Sequence, residues 1–430
     1  MTPPALTWLH LLPADCAFKC ESGPEWLRAS LNGRSVRDGR RASVHWNDRD
    51  ASPDIANSDA FVAVNGPASL PRQLAETGLS HVTRLAVLPS LDQPRWFIPL
   101  SSSAASAAAF NLYSPTRLSA RLKRSAAQLA ARVRLPIWYR DQILIAQREA
   151  PPLERRMRNL FPNERVSIAL SAGAPEGARN RKASAAVIAN DGRVLAFVKL
   201  AGSELSESLL RNEARILRAL ADRNATRGTV PRLLFSEPVD GTYTTAQTPL
   251  EGRPAPAEFS GGHRQFLDTL RATAQPVIES ELIRGLSSRI QAMRSTEPQL
   301  VRAFESALEA IEREPVAISI VHGDFAPWNL RLQHGHIAAF DWEYGSLSGP
   351  SGLDEIHHRL QVGYLLEHWT VDRAAHEFRS AHRGILMFYL VDMLARLLSE
   401  SYDRSNAMLG WLEQLLAAVC VTSAREVSVA

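Results

Sequence analysis

The hydrophobic and polar positions of the first 150 residues form short apolar runs separated by proline, glycine, asparagine and aspartate. Runs such as RASVHW and AFVAVNG have the length of strands, are rich in β-branched and aromatic residues, and are bounded by residues that favour turns. The pattern therefore predicts a small α/β domain over residues 1–150. It contains no motif that indicates a role.

A helical pattern with basic polar positions follows at residues 115–135. Leu118, Leu122, Leu129 and Val133 recur at helical spacing, and arginine and lysine lie between them without an acidic neighbour. Such a helix can hold a protein peripherally on an anionic membrane face. It can also pack its leucine face on its own domain and leave the charges in water. The sequence leaves both interpretations open, and the second is the simpler expectation.

Proline pairs and mixed charges without a sustained period mark residues 150–163 as a seam between domains. Beyond it the pattern predicts three antiparallel strands with NDG as a hairpin turn, one helix that begins after a serine cap, and two more strands. These elements form a predicted five-stranded lobe over residues 163–255. Mostly helical patterns follow over residues 256–430.

Composition and charge narrow the class of protein. The hydrophobic content of 45% and the charged content of 22% are typical of a soluble globular enzyme, and a net charge of +4 does not indicate nucleic-acid binding. Three cysteines are too few for a disulfide framework, so we expect a reducing, cytoplasmic environment. The N-terminus does not resemble a signal peptide, and no apolar run reaches the roughly 20 residues that span a bilayer.

Two apolar runs late in the chain, AISIV and HIAAF, are predicted strands that each lead to an acidic residue. The acidic residues are Asp324 and Asp341, and Asn329 lies between them, so we expect their side chains at one end of a small sheet. Carboxylate and amide oxygens suit Mg²⁺, which completes its shell with phosphate oxygens and water. Phosphoryl transfer also needs a group that takes the proton of the acceptor. We therefore assign Asp324 as the base, with Asn329 and Asp341 as Mg²⁺ ligands.

The motif HGDFAPWN followed by AFDWEYG resembles the signature of the aminoglycoside phosphotransferases and choline/ethanolamine kinases. The resemblance covers roughly residues 163–400. It implies an α+β, two-lobed protein-kinase-like fold with an antiparallel-sheet N-lobe and a helical C-lobe, and it implies ATP and Mg²⁺ as cofactors. It also implies that Lys199 contacts the ATP phosphates and pairs with Glu213 on the following helix.

The same resemblance implies where the nucleotide binds. Gly173 and Gly177 lie in the turn SAGAPEGARNR, which either brings backbone N–H groups to phosphate or is an ordinary hairpin loop. The residues from Gln247 to Leu250 occupy the position of the interlobe hinge, whose backbone bonds adenine in the family.

The segment WEYGSLSGPSGLDE carries the candidates for acceptor binding. Its start is closer to the choline kinases than to many aminoglycoside enzymes, which implies that Glu343 and Tyr344 lie near the metal or the substrate. Glu343 is equally suited to orient a neighbour by accepting a hydrogen bond. Asp354 is expected to cap the following helix and to order the loop, and it also adds negative charge to the pocket. Trp328, Trp342 and Tyr344 either bind a cationic alcohol or pack in the core.

Several histidines of the C-terminal helices, His357 and His358 among them, either line the acceptor pocket or pack between helices. We predict an ATP- and Mg²⁺-dependent phosphotransferase that moves the γ-phosphate to a hydroxyl of a small molecule, which is cationic if the aromatic faces bind it. Two alternatives stay open. One is a nucleotide-binding scaffold without catalysis, and the other is a kinase of a polymer or a lipid-linked acceptor held near a membrane by residues 115–135.

Overall fold

The computed structural model describes most of the chain and divides it into two compact units. The first unit consists of Met1–Glu207 and Leu233–Pro249, and the second consists of Ser208–Arg232 and Leu250–Ala430. The described residues are 4–20, 22–32, 40–46, 58–66, 70–112, 118–135, 140–173, 180–271, 276–314, 316–400 and 406–427.

The first unit is built on an 11-stranded sheet within the described residues. Its strands are β1 (Ala17–Cys20), β2 (Arg41–Trp46), β3 (Ala60–Val64), β4 (His81–Leu88), β5 (Trp96–Pro99), β6 (Asp141–Gln147), β7 (Val166–Ser171), β8 (Lys182–Ala189), β9 (Val194–Ala201), β10 (Leu233–Val239) and β11 (Thr242–Gln247). The spatial order is β1-β2-β3-β6-β4-β5-β7-β8-β9-β11-β10. The β1–β2 and β2–β3 pairs are parallel, and the remaining pairs are antiparallel.

Five α-helices accompany this sheet in the described part of the first unit. They are α1 (Glu25–Asn32), α2 (Leu70–Ala75), α3 (Ser103–Ala109), α4 (Leu118–Arg132) and α5 (Pro152–Leu160). The basic helix predicted for residues 115–135 corresponds to α4, and the start of that prediction, residues 115–117, lies outside the described residues.

The five strands predicted for the N-lobe are β7 to β11, and the NDG segment forms the turn between β8 and β9 with a left-handed φ of +91° at Gly192. The predicted seam at residues 150–163, however, does not separate two sheets. Strand β5 pairs with β7 through Trp96 and Phe97, and α5 buries Leu153 and Met157 in a core shared by strands from both regions. Pairing between strands about seventy residues apart leaves no local periodicity, so the sequence pattern does not reveal it.

The second unit is mainly helical. Its helices are α6 (Glu204–Ala221, which begins in the first unit), α7 (Gly261–Thr269), α8 (Glu281–Ala292), α9 (Pro298–Arg313), α10 (Leu353–Leu365), α11 (Val371–Glu377), α12 (Arg383–Ser399) and α13 (Ala407–Val427). Helix α12 is apolar on nearly all sides because it lies in the middle of the core formed with α8, α9, α10 and α13. In the part of the chain that the structure describes, no helix combines the length and apolar character needed to cross a membrane.

Two small sheets complete the second unit. Its strands are β12 (Arg253–Pro254), β13 (Ile318–Val321), β14 (Leu330–Gln333), β15 (His336–Ala339) and β16 (Ser346–Pro350). Strand β13 pairs with β16, whereas β15 pairs with β14 and β14 with β12. The expectation that Asp324 and Asp341 follow strands of one sheet is therefore wrong, because the strands before them belong to different sheets. The fold class is α+β, as predicted.

Candidate active site

The loop after β13 has a backbone that only glycine permits at its second residue. Gly323 adopts φ +76°, and a Cβ atom at this position would lie 2.2 Å from the carbonyl oxygen of Tyr344. The backbone N–H groups of His322 and Gly323 donate to the two carboxylate oxygens of Asp354, at 2.8 and 3.0 Å. The loop is therefore held to the first turn of α10 by one side chain.

Of its two expected roles, Asp354 orders the loop but does not cap α10. Gly352 is the N-cap residue of this helix and has a left-handed backbone, and the Asp354 carboxylate binds the loop instead. Burial raises the pKa of Asp354, while the two backbone N–H groups that donate to it oppose the increase.

His322 links this loop to the end of β15. Its Nε2 lies 3.0 Å from the carbonyl oxygen of Phe340, and its Nδ1 lies 3.2 Å from the backbone nitrogen of Asp324. Full burial lowers the pKa of His322, which favours the neutral ring. A neutral ring satisfies both contacts, with Nε2 donating to the carbonyl and Nδ1 accepting from the N–H group. The segments that carry Asp324 and Asp341 are thereby joined although their strands belong to different sheets.

Asp324 is held at both carboxylate oxygens. Asn329 donates from Nδ2 to Oδ2 of Asp324 at 2.8 Å and to its carbonyl oxygen at 3.0 Å. His357 Nε2 lies 2.9 Å from Oδ1, and because an ionised carboxylate only accepts, this nitrogen is the donor. The Asp324 side chain keeps 29% of its surface exposed, whereas that of His357 keeps 4%. The carboxylate is therefore fixed in orientation and still accessible.

The orientation of His357 depends on α12. The hydroxyl of Tyr389 lies 3.1 Å from His357 Nδ1, and burial raises the pKa of the Tyr389 phenol, so the phenol keeps its proton. The hydrogen bonds from Tyr389 to His357 and from His357 to Asp324 connect the helical core to the loop after β13. The sequence alone predicts that His357 either lines the acceptor pocket or packs between helices. The available signal was its spacing of three residues from Asp354, which places both on one face of α10.

The segment after β15 is anchored by α6. Asp341 has a left-handed φ of +69°, and the N–H group of the next residue, Trp342, donates to Glu213 Oε1 at 3.2 Å. Asn212 donates from Nδ2 to the carbonyl oxygens of Glu343 and Gly345, at 3.0 and 2.8 Å. Two neighbouring residues of α6 thus fix the backbone that follows Asp341.

The three candidate aromatic residues have different surroundings. Trp342 is fully buried and donates from Nε1 to the carbonyl oxygen of Ala339 at 3.1 Å, so it is part of the core. The hydroxyl of Tyr344 donates to Glu400 at 2.9 Å, and the guanidinium of Arg396 lies 4.4 Å from the centroid of its ring. An internal cation therefore covers one face of this ring. Trp328 is partly exposed, and Glu343 is buried.

Arg396 also supports the loop itself. It donates from Nη1 to the carbonyl oxygen of Gly323 at 2.9 Å and from Nη2 to Asp392 at 2.9 Å. Asp392 contacts Arg289 as well, at 3.0 Å. The two charges that interrupt the apolar pattern of α12 are therefore paired with each other, and one of them reaches the candidate site.

The amide of Asn329 is oriented in a way that suits a hard cation. Its Nδ2 donates to Asp324, which leaves the oxygen Oδ1 as the atom that a metal ion would bind. Among the described residues, no group of three or more histidine, cysteine, aspartate and glutamate side chains is arranged for a metal ion. Mg²⁺ commonly takes one or two protein ligands, so the predicted pair of Asn329 and Asp341 fits its chemistry.

The candidate nucleotide-binding residues of the first unit lie on or beside β7, β9 and β11. Lys199 is buried in β9, next to Thr245 of β11 in the register. Gly173 follows β7 with φ +72°, and a Cβ there would lie 1.9 Å from the carbonyl oxygen of Lys182, so this position requires glycine for the backbone alone. Gln247 at the end of β11 has a buried Oε1 without a hydrogen-bond partner among the described residues. Gly177 lies outside the described residues.

Two of the predicted nucleotide contacts involve both units. Lys199 belongs to the first unit and Glu213 to the second, and Leu250 is the residue at which the second unit resumes after Gln247 and Pro249. The ion pair between Lys199 and Glu213 and the hinge role of Gln247 and Leu250 stay predictions.

Comparisons with known proteins identify one family and one group of structures. Residues 174–351 match the model of the phosphotransferase enzyme family. No curated protein matches the chain in sequence. Among solved structures, the chain is similar to the GDP complex of aminoglycoside 2'-phosphotransferase-IIIa, with 15% identity, coverage of 63% of this chain and 98% of that chain, and a TM-score of 0.40.

Two further solved structures are similar to this chain over a comparable share of its length. One is a thermostable mutant of aminoglycoside phosphotransferase APH(4)-Ia in a ternary complex with ADP and hygromycin B, at 12% identity, 62% and 97% coverage and a TM-score of 0.41. The other is a putative fructosamine-3-kinase from Thermobifida fusca, at 17% identity, 62% and 96% coverage and a TM-score of 0.39.

Proposed function

We propose that this chain, whose residues 174–351 match the phosphotransferase enzyme family, transfers the γ-phosphate of ATP to a hydroxyl group of a small molecule. The geometry of Asp324 carries the proposal. Asn329 and His357 hold its two carboxylate oxygens at 2.8 and 2.9 Å, while 29% of the side chain stays exposed. A carboxylate that is fixed and accessible is suited to orient an incoming hydroxyl and accept its proton.

The residues around Asp324 fit the remaining parts of this reaction. Asn329 and Asp341 would hold Mg²⁺, with Asn329 using the oxygen of an amide whose nitrogen already binds Asp324. When bound, the ion neutralises negative charge on the phosphate oxygens. Asp354 and Arg396 hold the backbone of His322 and Gly323, and they keep the position of Asp324 fixed while the acceptor binds.

The predicted nucleotide-binding residues supply a lysine side chain, backbone N–H groups and a hydrogen-bond acceptor. Lys199 is a buried cation and would contact the ATP phosphates, with Glu213 as the partner that orients it. Gly173 would bring backbone N–H groups to phosphate. Gln247 Oε1, which has no hydrogen-bond partner among the described residues, would accept from a donor group of the base, and Leu250 is the other predicted hinge residue.

The surroundings of the aromatic residues bear on the acceptor. The Tyr344 ring already faces Arg396, and Trp342 belongs to the core, so these two rings do not favour a cationic acceptor over a neutral one. Trp328 is our candidate for contact with the acceptor, with Glu343 as a residue that orients the loop.

The proposal is tested by the transfer of labelled γ-phosphate from ATP to a panel of hydroxyl acceptors in the presence of Mg²⁺. The panel contains choline, ethanolamine, aminoglycosides, sugars and homoserine. Asp324→Asn should lower turnover by about 10²- to 10⁴-fold and leave the protein folded, and Asp372→Asn, at an exposed position of α11, is the matched control. Near-wild-type turnover in Asp324→Asn would refute the role of Asp324. ATP binding without transfer to any acceptor would favour a scaffold.

A further inference from the structure

Helix α4 of the first unit buries three alanines and leaves two leucines exposed. Ala127, Ala130 and Ala131 are buried where α4 packs against α3. Leu122 and Leu129 are each 63% exposed. A helix that only covers its own domain buries its largest apolar side chains. The expectation that α4 packs its leucine face on the domain is therefore wrong for Leu122, Leu129 and Val133, while the side chain of Leu118 lies outside the described residues.

The exposed apolar residues form one stripe, which we call the α4 stripe: Leu122, Leu129 and Val133. Leu129 and Val133 follow Leu122 by seven and eleven residues. At 3.6 residues per turn, all three therefore lie within about 40° around the helix axis. Val133 is 59% exposed and stays on the helix through the bond from its N–H group to the carbonyl of Leu129, at 3.1 Å. Of the six most exposed large apolar residues in the described ranges, these three and Leu135 belong to this segment.

The end of α4 is well defined, so the exposure is not that of a frayed terminus. Arg134 has a left-handed φ of +55°, and its N–H group donates to the carbonyl of Ala131. The N–H group of Leu135 donates to the carbonyl of Ala130 at 3.1 Å. These two bonds form a Schellman motif. Leu135 is 46% exposed.

The charges of this segment all have one sign. Lys123 and Arg132 are exposed and lie on either side of the α4 stripe, roughly 80° to 100° away from it around the axis. The sequence between residues 96 and 140 contains seven arginines and lysines and no aspartate or glutamate. The seven are Arg117, Arg121, Lys123, Arg124, Arg132, Arg134 and Arg140. An apolar stripe with basic residues on both flanks matches the boundary between lipid headgroups and acyl chains.

We propose that α4 binds the surface of an anionic lipid bilayer, with the α4 stripe inserted among the headgroups and Lys123 and Arg132 on lipid phosphates. Long basic side chains can extend sideways to the phosphates while the leucines insert. A second copy of the helix is a poor occupant, because it would bring positive charge against positive charge. Nucleic acid would use the charges but not the leucines. The proposal is independent of the phosphotransferase reaction.

Flotation of the full-length protein with vesicles tests the proposal. Binding is expected to vesicles rich in phosphatidylglycerol, to be weak on pure phosphatidylcholine and to fall as salt is raised. Each basic residue near an anionic surface strengthens binding about fivefold, so Lys123→Gln with Arg132→Gln should weaken it roughly 25-fold. Leu122→Gln with Leu129→Gln keeps every charge and should weaken it at least about tenfold. All four positions are exposed, so the variants should melt as the wild type does.

A charge-matched control distinguishes binding through α4 from nonspecific attraction between a basic protein and an anionic membrane. Arg302→Gln with Arg313→Gln removes the same charge from exposed positions of α9 and should leave binding within about twofold. Absent binding to phosphatidylglycerol vesicles, or full binding by the leucine variant, would overturn the proposal. A dimer of the lipid-free protein in sedimentation velocity that the leucine variant dissociates would assign the α4 stripe to a second copy and would also overturn it.

Discussion

The Nε2 atom of His357 lies 2.9 Å from Oδ1 of Asp324, while the amide of Asn329 holds the other oxygen, Oδ2. The two residues are 33 positions apart in sequence, and the contact exists because α10 is packed under the loop that carries Asp324. His357 is buried and has its own partner, Tyr389, on α12. In the proposed reaction it is a positioning residue, which acts on the acceptor only through the carboxylate.

His357→Ala should therefore lower kcat without weakening ATP binding. Loss of one of the two groups that orient Asp324 lets the carboxylate move, and a misplacement of about 1 Å costs roughly 10²-fold in rate. His357→Gln supplies an N–H donor at a similar reach and should recover part of the loss. The measurements are kcat, the KM for ATP and the melting temperature, with exposed His376→Ala as control. A kcat for His357→Ala within about twofold of wild type would exclude the positioning role.

Tyr389→Phe should reduce kcat less than His357→Ala does. The variant removes the hydroxyl from His357 Nδ1 and keeps the ring in the core. A hydrogen bond of net worth about 0.5–1.5 kcal/mol corresponds to a loss of roughly 2- to 10-fold. Because Tyr389 acts through His357, adding Tyr389→Phe to His357→Ala should change kcat little further. Additive losses in the double variant would show that Tyr389 acts by another route.

The sequence predicts the local features of this site and misses those that depend on packing. The spacing of Asp324, Asn329 and Asp341 identifies the chemistry, and the apolar runs before them are strands, as predicted. The pairing of β13 with β16, and not with β15, depends on backbone hydrogen bonds that leave no residue pattern. The same applies to His357, whose partners are decided by how α10 and α12 pack.

Domain organisation shows the same limit on a larger scale. Each strand of the first unit from β7 to β11 follows a recognisable pattern, but the edge of β7 that receives β5 does not differ in sequence from a free edge. The sequence does not predict which face of α4 is buried either. The helical period of α4 is visible in the sequence. Which face is buried depends on the close approach of α3, which covers Ala127 and Ala131 and leaves Leu122 and Leu129 exposed.

Gly323→Ala should unfold the site loop, and Gly285→Ala is the matched substitution that should not. At Gly323 a methyl group would lie 2.2 Å from the Tyr344 carbonyl oxygen in a left-handed backbone, so we expect a loss of about 1–3 kcal/mol or more in the free energy of unfolding, together with the activity. Gly285 lies on an exposed turn of α8 with open space around it, and alanine there should add about 0.5–1 kcal/mol. Chemical denaturation measures both. Equal effects of the two substitutions would contradict the strain assigned to Gly323.

His358→Phe should make the protein less sensitive to acid. His358 is fully buried among Phe259, His263 and Phe325, and neither ring nitrogen has a hydrogen-bond partner among the described residues. Burial lowers its pKa to about 3, from an ordinary value of 6.5. The unfolded chain therefore binds a proton between these values that the folded protein does not. The stability from the neutral ring is present above about pH 6.5 and is lost as pH falls toward 3.

Phenylalanine retains the aromatic contacts and cannot be protonated. The free energy of unfolding of His358→Phe should therefore fall with decreasing pH about 1.4 kcal/mol per pH unit less steeply than that of the wild type, between roughly pH 6 and pH 4. His263, whose pKa burial lowers to about 4, keeps part of the acid sensitivity in the variant. Denaturant titrations across this range measure the slope, and exposed His376→Gln should leave it unchanged. If the profiles of His358→Phe and the wild type are parallel, His358 is not buried in its neutral form in solution, and its surroundings differ from the contacts with Phe259, His263 and Phe325.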